Sequence, residues 1–348
     1  MHEQGTNTRN QRIEAAMRRT HSDIARTICI ATGAAAVASA GALAICANSL
    51  FRFALDSQYK KSMFRQSPPD DPERERLMNT GEAREAGVWF QETKQPVTIT
   101  SFDGLTLHGW LFDPDCISPK PHLYAICCHG YTGEPAEMAT WAHRFARLGF
   151  TVLVPAQRAH EMSEGRYTGM GWLERNDLLN WIHLIIESDP EARILLHGNS
   201  MGAATVMMTV GDPRLPRNVV SAIEDSGYAS VRLQFIDTSR AMFHLPKLLA
   251  AMCVDAAGLV CKYKAGYDFN DASSMEQLRH ATIPVLFVHG DADTFVSPRF
   301  LDMNFNACSS LDREKLLVPG ADHVMGSVVA PDVYWRKIER FVRRTFRL

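Results

Sequence analysis

Short apolar runs alternate with longer amphipathic stretches over the C-terminal two-thirds of the chain. The apolar runs cover 122–128, 150–154, 192–197, 219–223, 284–288 and 315–318, and most are bounded by Gly, Pro or Asp. Amphipathic patterns at helical spacing cover 135–148, 171–188, 201–210, 298–308 and 331–347. Apolar runs of this length between helices are typical of buried parallel strands. The pattern therefore predicts an α/β fold in which helices cover both faces of a mainly parallel sheet.

Two further segments complete the predicted domain, which we place at 96–348. Alternating apolar and polar residues predict strands at 96–101 and 105–112, and Asp103-Gly104 between them is a strong hairpin signal. The segment at about 228–280 contains many apolar residues but no clear strand. We interpret it as a helical lid over an apolar pocket, with ordinary covering helices as the alternative.

The N-terminal part of the chain has a different pattern. Residues 1–26 are polar and basic, whereas 27–51 contain no charged residue. As a helix, these 25 residues would extend ~37 Å, enough to cross a hydrocarbon core of ~30 Å. We predict a single-pass transmembrane anchor rich in Ala and Gly, and a cleaved signal peptide or a buried helix are the alternatives. Residues 52–95 then form a linker and an adapter helix, which runs from Pro72 to about Gln91.

The membrane orientation stays open. Each flank of the predicted anchor carries four Lys or Arg residues within fifteen residues, so the positive-inside rule favours neither orientation.

Composition excludes several classes of protein. The chain has 348 residues, 46% of them hydrophobic, which excludes a disordered or fibrous chain. The 37 Lys and Arg residues are balanced by 39 Asp and Glu residues, so the formal charge of −2 argues against a nucleic-acid partner. Eight cysteines without a C-x-x-C pair indicate neither a zinc module nor a disulfide framework.

The sharpest chemical signal is a G-x-S-x-G pattern at Gly198-Asn199-Ser200-Met201-Gly202. It follows a predicted strand and begins a helix, which is the context of a nucleophile elbow. Gly198 and Gly202 leave room for a sharp turn that exposes the Ser200 hydroxyl. The helix N-terminus adds backbone N–H donors and a positive dipole end near the reacting oxygen.

A serine hydroxyl needs a neighbouring base, which is in turn oriented by an acid. Asp291 and Asp293 follow the predicted strand at 284–288, and His323 follows the one at 315–318. The order Ser, Asp, His, with each residue just after a strand, is the order found in α/β-hydrolases.

With these motifs, the sequence resembles the α/β-hydrolase superfamily over roughly 96–346. Within it, the chain is similar to membrane-anchored bacterial hydrolases of the serine aminopeptidase S33 type. Three stretches support this resemblance: Ser200–Thr205, Ser163-Glu164-Gly165 and Glu224-Asp225-Ser226. The resemblance implies an α/β-hydrolase fold with a triad of Ser200, Asp293 and His323. Asp291 and Asp225 are the alternative acids.

The resemblance also implies an oxyanion hole made of two backbone N–H groups. One is that of Met201, the residue after the nucleophile. The other is that of Tyr131, in a His129-Gly130-Tyr131 loop that resembles the His-Gly-x motif of the family. Each such donor contributes about 3 kcal/mol to the stabilisation of the transition state.

We therefore expect a serine hydrolase that cleaves carboxylic esters of small-molecule acyl substrates through an acyl-enzyme. It needs no cofactor and no metal, and the N-terminal helix places it at a membrane. Peptide hydrolysis, as by an aminopeptidase, and thioester hydrolysis or acyl transfer use the same groups and remain open. A catalytically silent membrane-anchored binding protein is the alternative outside enzymes.

Overall fold

An eight-stranded sheet forms the centre of the computed structural model, which describes residues 41, 43–66 and 72–348. The strand order is β1-β2-β4-β3-β5-β6-β7-β8. The pairs β1–β2 and β2–β4 are antiparallel, and all other pairs are parallel. The strands are β1 (Gln95–Thr100), β2 (Thr106–Phe112), β3 (Leu123–Cys128), β4 (Thr151–Pro155), β5 (Arg193–Asn199), β6 (Val219–Asp225), β7 (Val285–Gly290) and β8 (Arg313–Val318). The predicted α/β-hydrolase fold class is confirmed.

Helices cover both faces of this sheet. The described helices are α1 (43–55), α2 (Pro72–Met78), α3 (Gly81–Thr93), α4 (Ala139–Arg147), α5 (Glu174–Ser188), α6 (Met201–Val210), α7 (Val231–Phe243), α8 (Lys247–Ala265), α9 (Ser274–Leu278), α10 (Arg299–Ala307), α11 (Gly326–Val329) and α12 (Pro331–Phe346).

Alternate strand residues face opposite helical layers, as the two-residue period of a strand requires. On β3, Ala125 and Cys127 pack in the layer of α3, α4 and α12. Ile126 and Cys128 pack in the layer of α5, α6 and α10. Every residue of β3 except Tyr124 is therefore buried, which explains the continuous apolar run in the sequence.

The adapter segment before the sheet differs in one respect from the prediction. Instead of one helix from Pro72 to about Gln91, the chain forms α2 and α3, separated at Asn79 and Thr80. The Thr80 hydroxyl accepts the N–H of Ala83 at 3.0 Å and so caps the N-terminus of α3. The predicted hairpin is present, and Gly104 in its turn adopts a φ of +85° that a glycine tolerates best.

A third hydrophobic cluster joins the predicted lid to the N-terminal part of the chain. Helices α7, α8 and α9 occupy the lid region, and α1 packs against them. Ala47 and Phe51 of α1 are buried in the same cluster as Ala250 and Val254 of α8. The end of the predicted anchor and the beginning of the linker are thus in contact with the α/β domain.

Most of the predicted anchor lies outside the described residues, as do residues 1–26. Of the segment 27–51, the structure describes residues 41 and 43–51. Within the described part of the chain, no helix combines the length and the hydropathy needed to cross a membrane.

Candidate active site

Ser200 lies at a strained turn between β5 and α6. Its φ of 55° and ψ of −113° are unusual for a residue with a side chain. A Cβ atom at Gly198 would come within 2.2 Å of the Gly202 carbonyl oxygen, and one at Gly202 within 2.1 Å of the Cys128 carbonyl oxygen. Both positions therefore need glycine for the turn to close.

The structure brings Ser200, His323 and Asp293 together in one hydrogen-bonded row. Nε2 of His323 is 2.9 Å from Oγ of Ser200, and Nδ1 of His323 is 2.7 Å from Oδ2 of Asp293. Ser200 is only 6% exposed and Asp293 only 5%, so water screens these contacts weakly. Each residue follows the C-terminal end of a strand in the parallel part of the sheet: Ser200 follows β5, Asp293 follows β7 and His323 follows β8.

Asp293 is held as a carboxylate by several donors. Its Oδ1 accepts the N–H groups of Phe295 at 2.9 Å and Val296 at 2.8 Å. Burial alone raises the pKa of this carboxyl, but the side-chain hydrogen bonds from His289 and His323 and the Val296 N–H lower it well below its usual value. The charge that would stabilise a protonated His323 is therefore present at neutral pH.

The two alternative acids have other partners. Asp225 is fully buried, and its oxygens accept the hydroxyls of Tyr334 at 2.6 Å and Ser226 at 2.9 Å. Asp291 is exposed and accepts the N–H of Gly320 at 2.6 Å. Among these three aspartates, Asp293 is the one whose carboxylate is hydrogen-bonded to the His323 ring.

The loop that follows β3 is fixed beside Ser200 by two neutral histidines. Nε2 of His129 accepts the N–H of Gln157 at 3.0 Å, and Nδ1 donates to the Gly130 carbonyl at 2.8 Å. Nε2 of His160 accepts the N–H of Thr132 at 3.2 Å. Burial lowers the pKa of both imidazoles, to about 3 for His129 and about 4 for His160. A Cβ on Gly130 would lie 3.5 Å from Cβ of Ser200, so the loop directly adjoins Ser200.

Sequence reasoning missed the contribution of the N-terminal segment to this loop. The hydroxyl of Tyr131 donates to the main-chain carbonyl of Ala54 in the last turn of α1. The ring of Phe64 contacts Tyr131 at 5.2 Å and His160 at 5.0 Å between ring centroids. No local pattern signals these contacts, because they join segments about 70 to 100 residues apart.

Two openings meet at Ser200. One is a strongly apolar pocket between α1 and α7, whose walls include Leu50, Phe53, Phe235 and Met242. The other is a groove of mixed polarity that includes His323 and Trp141. Tyr131, Met63 and Phe295 border both.

Two further buried side chains, the imidazole of His289 and the carboxyl of Glu224, lie near the Ser200–His323–Asp293 row. Nε2 of His289 is 3.2 Å from Oδ2 of Asp293 and 2.9 Å from the Val296 carbonyl oxygen. Glu224 is fully buried, and burial raises its pKa to about 8, although the nearby His289 opposes this shift. Its Oε2 accepts the N–H of Gly227 at 3.0 Å.

Fold and sequence together define the class of this protein. Residues 125–335 match the alpha/beta hydrolase family, and the chain belongs to that family. It is therefore a hydrolase.

Similar sequences occur in two bacterial genera. The uncharacterized protein YqkD of Bacillus subtilis is 28% identical over 207 residues, which are 59% of this chain and 65% of YqkD. The uncharacterized protein YfhR of Salmonella typhi is 24% identical over 233 residues, 66% of this chain and 74% of YfhR. The chain thus spans slightly less than two-thirds of YqkD.

Solved structures with a similar fold include an esterase and a peptidase. The Pyrococcus furiosus esterase Pf2001 is 22% identical, with a TM-score of 0.56 over 72% of this chain and 92% of the esterase. The acylaminoacyl peptidase of Pyrococcus horikoshii is 16% identical, with a TM-score of 0.52 over 74% of this chain and 43% of the peptidase. At these identities the likeness concerns the fold.

Proposed function

We propose that this hydrolase is a serine esterase that cleaves carboxylic esters with apolar acyl groups. The observation that carries the proposal is the row Ser200–His323–Asp293, with hydrogen-bonding distances of 2.9 and 2.7 Å, in which Ser200 also lines an apolar pocket. A hydroxyl, a base and an oriented acid in this arrangement are the requirements for acyl transfer through serine.

In the first half-reaction, Oγ of Ser200 attacks the ester carbonyl carbon and its proton passes to Nε2 of His323. Asp293 keeps the ring oriented through Nδ1 and stabilises the imidazolium. The negative oxygen of the tetrahedral intermediate is held by the backbone N–H groups of Tyr131 and Met201. The intermediate collapses when the ester C–O bond breaks and the leaving alkoxide takes the proton from Nε2.

In the second half-reaction, water attacks the acyl-enzyme while His323 accepts its proton. The carboxylic acid leaves, and the proton returns to Oγ of Ser200. No bound metal or cofactor takes part in these steps.

The position of His323 supports a separate role for each of the two openings. The leaving group receives its proton from Nε2 of His323, so it must lie on the side of that ring, in the groove of mixed polarity. The acyl group then extends into the apolar pocket under α7, where each buried CH₂ contributes about 0.8 kcal/mol to binding. This assignment favours esters with an acyl chain of several carbons over acetate.

Membrane anchoring through the charge-free segment belongs to the same proposal, and so does the resemblance to S33-type hydrolases. The basic residues of 1–26 and the absence of charge from 27 to 51 support an anchor. Peptide amides are the second substrate class, which the S33 resemblance suggests.

The full chain, with α1 present as a wall of the pocket, is the form to assay. We expect it to hydrolyse p-nitrophenyl esters with rates that rise from acetate to hexanoate, and Ser200→Ala to reduce these rates to background. Aminoacyl p-nitroanilides serve as the parallel series. Faster cleavage of the anilides than of every ester would indicate a peptidase rather than an esterase. Equal ester rates in the unmodified chain and in Ser200→Ala would refute the proposal.

A further inference from the structure

The α7–α8 corner carries an exposed apolar surface that no described part of the chain covers. It consists of Met242, Phe243, Leu248, Leu249 and Met252, each between 44% and 75% exposed. We refer to these five residues as the apolar tip. Met242 and Phe243 also border the apolar pocket, so the tip is continuous with the pocket entrance. Contiguous exposed apolar surface of this kind marks an interaction site.

Charge along the α7–α8 corner is of one sign. From Arg240 to Val254, the charged residues are Arg240 and Lys247, and no carboxylate occurs. The nearest acids on either side are already paired, Asp237 with Arg299 and Asp255 with Arg232. An apolar surface with cations and no anions matches the hydrocarbon and anionic headgroups of a bilayer. A symmetric contact between two copies would instead bring the same cations together.

The length of the charge-free segment before the buried part of α1 also supports contact between the apolar tip and a membrane. Ala47 and Phe51 of α1 are buried in the body, whereas Ala44, Ile45 and Cys46 are exposed. The charge-free residues that precede the buried Ala47 in the sequence are 27–46. As a helix, these twenty residues would extend about 30 Å, the thickness of the hydrocarbon core.

Cys46 is the last residue of this twenty-residue stretch, and it lies next to the apolar tip. Its thiol lies close enough to the thiol of Cys253 on α8, the residue after Met252, to add to the effect of burial in raising the pKa of Cys253. An anchor that leaves the bilayer at Cys46 therefore brings this part of α8 to the bilayer surface.

We propose that the apolar tip is a membrane-contacting surface, through which esters dissolved in the bilayer enter the acyl pocket. The proposal rests on the esterase function proposed above, and it names the substrate class as lipid-like acyl esters. Neither Leu248 nor Met252 borders the pocket, so both can be changed without altering the catalytic groups.

The test uses the full chain in vesicles of phosphatidylcholine with one-quarter phosphatidylglycerol. Rates are measured on water-soluble p-nitrophenyl butyrate and on 4-methylumbelliferyl oleate dissolved in the same vesicles. We expect the double variant Leu248→Glu, Met252→Glu to hydrolyse the oleate at least tenfold more slowly and the butyrate within twofold of the unmodified chain. Leu311→Glu, which places a single glutamate at an exposed leucine just before β8, should change neither rate.

An oleate rate that survives in the double variant would overturn the proposal, as would an equal fall for both esters. A second measurement does not depend on catalysis. Met252→Trp should gain fluorescence that lipids with brominated acyl chains quench, and Leu311→Trp fluorescence that they do not quench.

Quenching without any ester hydrolysis would support the surface while refuting the esterase, and absence of quenching at position 252 would refute the surface. If the double variant in detergent changes from dimer to monomer by light scattering, a second copy covers the tip and the bilayer does not.

Discussion

The phenol of Tyr131 donates its hydrogen bond to the main-chain carbonyl of Ala54, so the loop beside Ser200 is tied to the last turn of α1. The hydroxyl is buried, and burial raises its pKa well above the usual value, so it remains a donor at every pH at which the protein is studied. The N-terminal segment therefore does more than connect the body to upstream sequence. It reaches the residue whose backbone N–H we assign to the oxyanion hole.

Tyr131→Phe tests this tie, because it keeps the backbone N–H and removes only the hydrogen bond. We expect the loss of this hydrogen bond to raise the activation free energy by about 1 kcal/mol, which lowers kcat about fivefold. KM should change less than twofold. Steady-state kinetics on p-nitrophenyl hexanoate measures both constants.

Tyr267→Phe is the matched control, since that buried hydroxyl also donates to a main-chain carbonyl, that of Thr168 at 3.1 Å, without bordering the site. Equal losses of kcat in the two variants would show that the tie acts only on stability.

The choice of acid can be tested by three amide substitutions. Asp293→Asn should lower kcat by about 10³ to 10⁴-fold, because an amide cannot stabilise the imidazolium and can bind the wrong tautomer of His323. Asp291→Asn should be almost neutral, since that side chain is exposed. Asp225→Asn should lower thermal stability more than kcat, since it disturbs the bonds to Tyr334 and Ser226. A larger kcat loss for Asp225→Asn than for Asp293→Asn would reassign the acid.

The size of the acyl pocket depends on α1. Leu50→Trp adds bulk to the pocket wall, so we expect kcat/KM for hexanoate and longer esters to fall at least tenfold and for acetate less than threefold. Ser49→Trp, one position away on the exposed side of α1, should leave the chain-length profile unchanged. A uniform loss on all esters in Leu50→Trp would mean that the acyl group binds elsewhere.

Glu224 should make stability fall as pH rises. Its pKa of about 8 in the folded protein lies above the ordinary value of 4.5, so the folded state binds more protons between these values. The free energy of unfolding therefore decreases as pH increases through this window. Glu224→Gln removes that dependence and can still accept the Gly227 N–H.

Melting temperatures at pH 5 and pH 8 provide the measurement. We expect the melting temperature of Glu224→Gln, relative to that of the unmodified chain, to be higher at pH 8 than at pH 5 by about 5 °C or more. A difference that does not change with pH would show that Glu224 is already ionised in the fold.

Much of the fold could be predicted from local pattern. The predicted apolar runs at 192–197 and 219–223 lie within two residues of β5 and β6, and the helix predicted at 201–210 is α6. Buried parallel strands must be apolar on both faces, so they form continuous apolar runs that are visible in one sequence. The adapter helix was less predictable, because its interruption depends on a single capping threonine, Thr80.

The candidate site was predictable where chemistry requires particular residues in order. Gly198 and Gly202 leave no space for a side chain, and the resemblance singled out Asp293 and His323. The contacts of Ala54 and Phe64 with the loop were not predictable, since an alanine carbonyl and an isolated phenylalanine carry no chemical signature. Such contacts depend on how distant segments pack.

The central claim is that Ser200 is an activated nucleophile, and covalent labelling tests it most directly. The full chain is treated with a small alkyl fluorophosphonate and its intact mass is measured, beside Ser200→Ala and His323→Ala. The account predicts one adduct on the unmodified chain, located at Ser200 by peptide mapping. It predicts no adduct on Ser200→Ala and labelling slowed by at least a hundredfold in His323→Ala. Absence of the adduct from the unmodified chain, or an equal adduct on Ser200→Ala, would contradict the account.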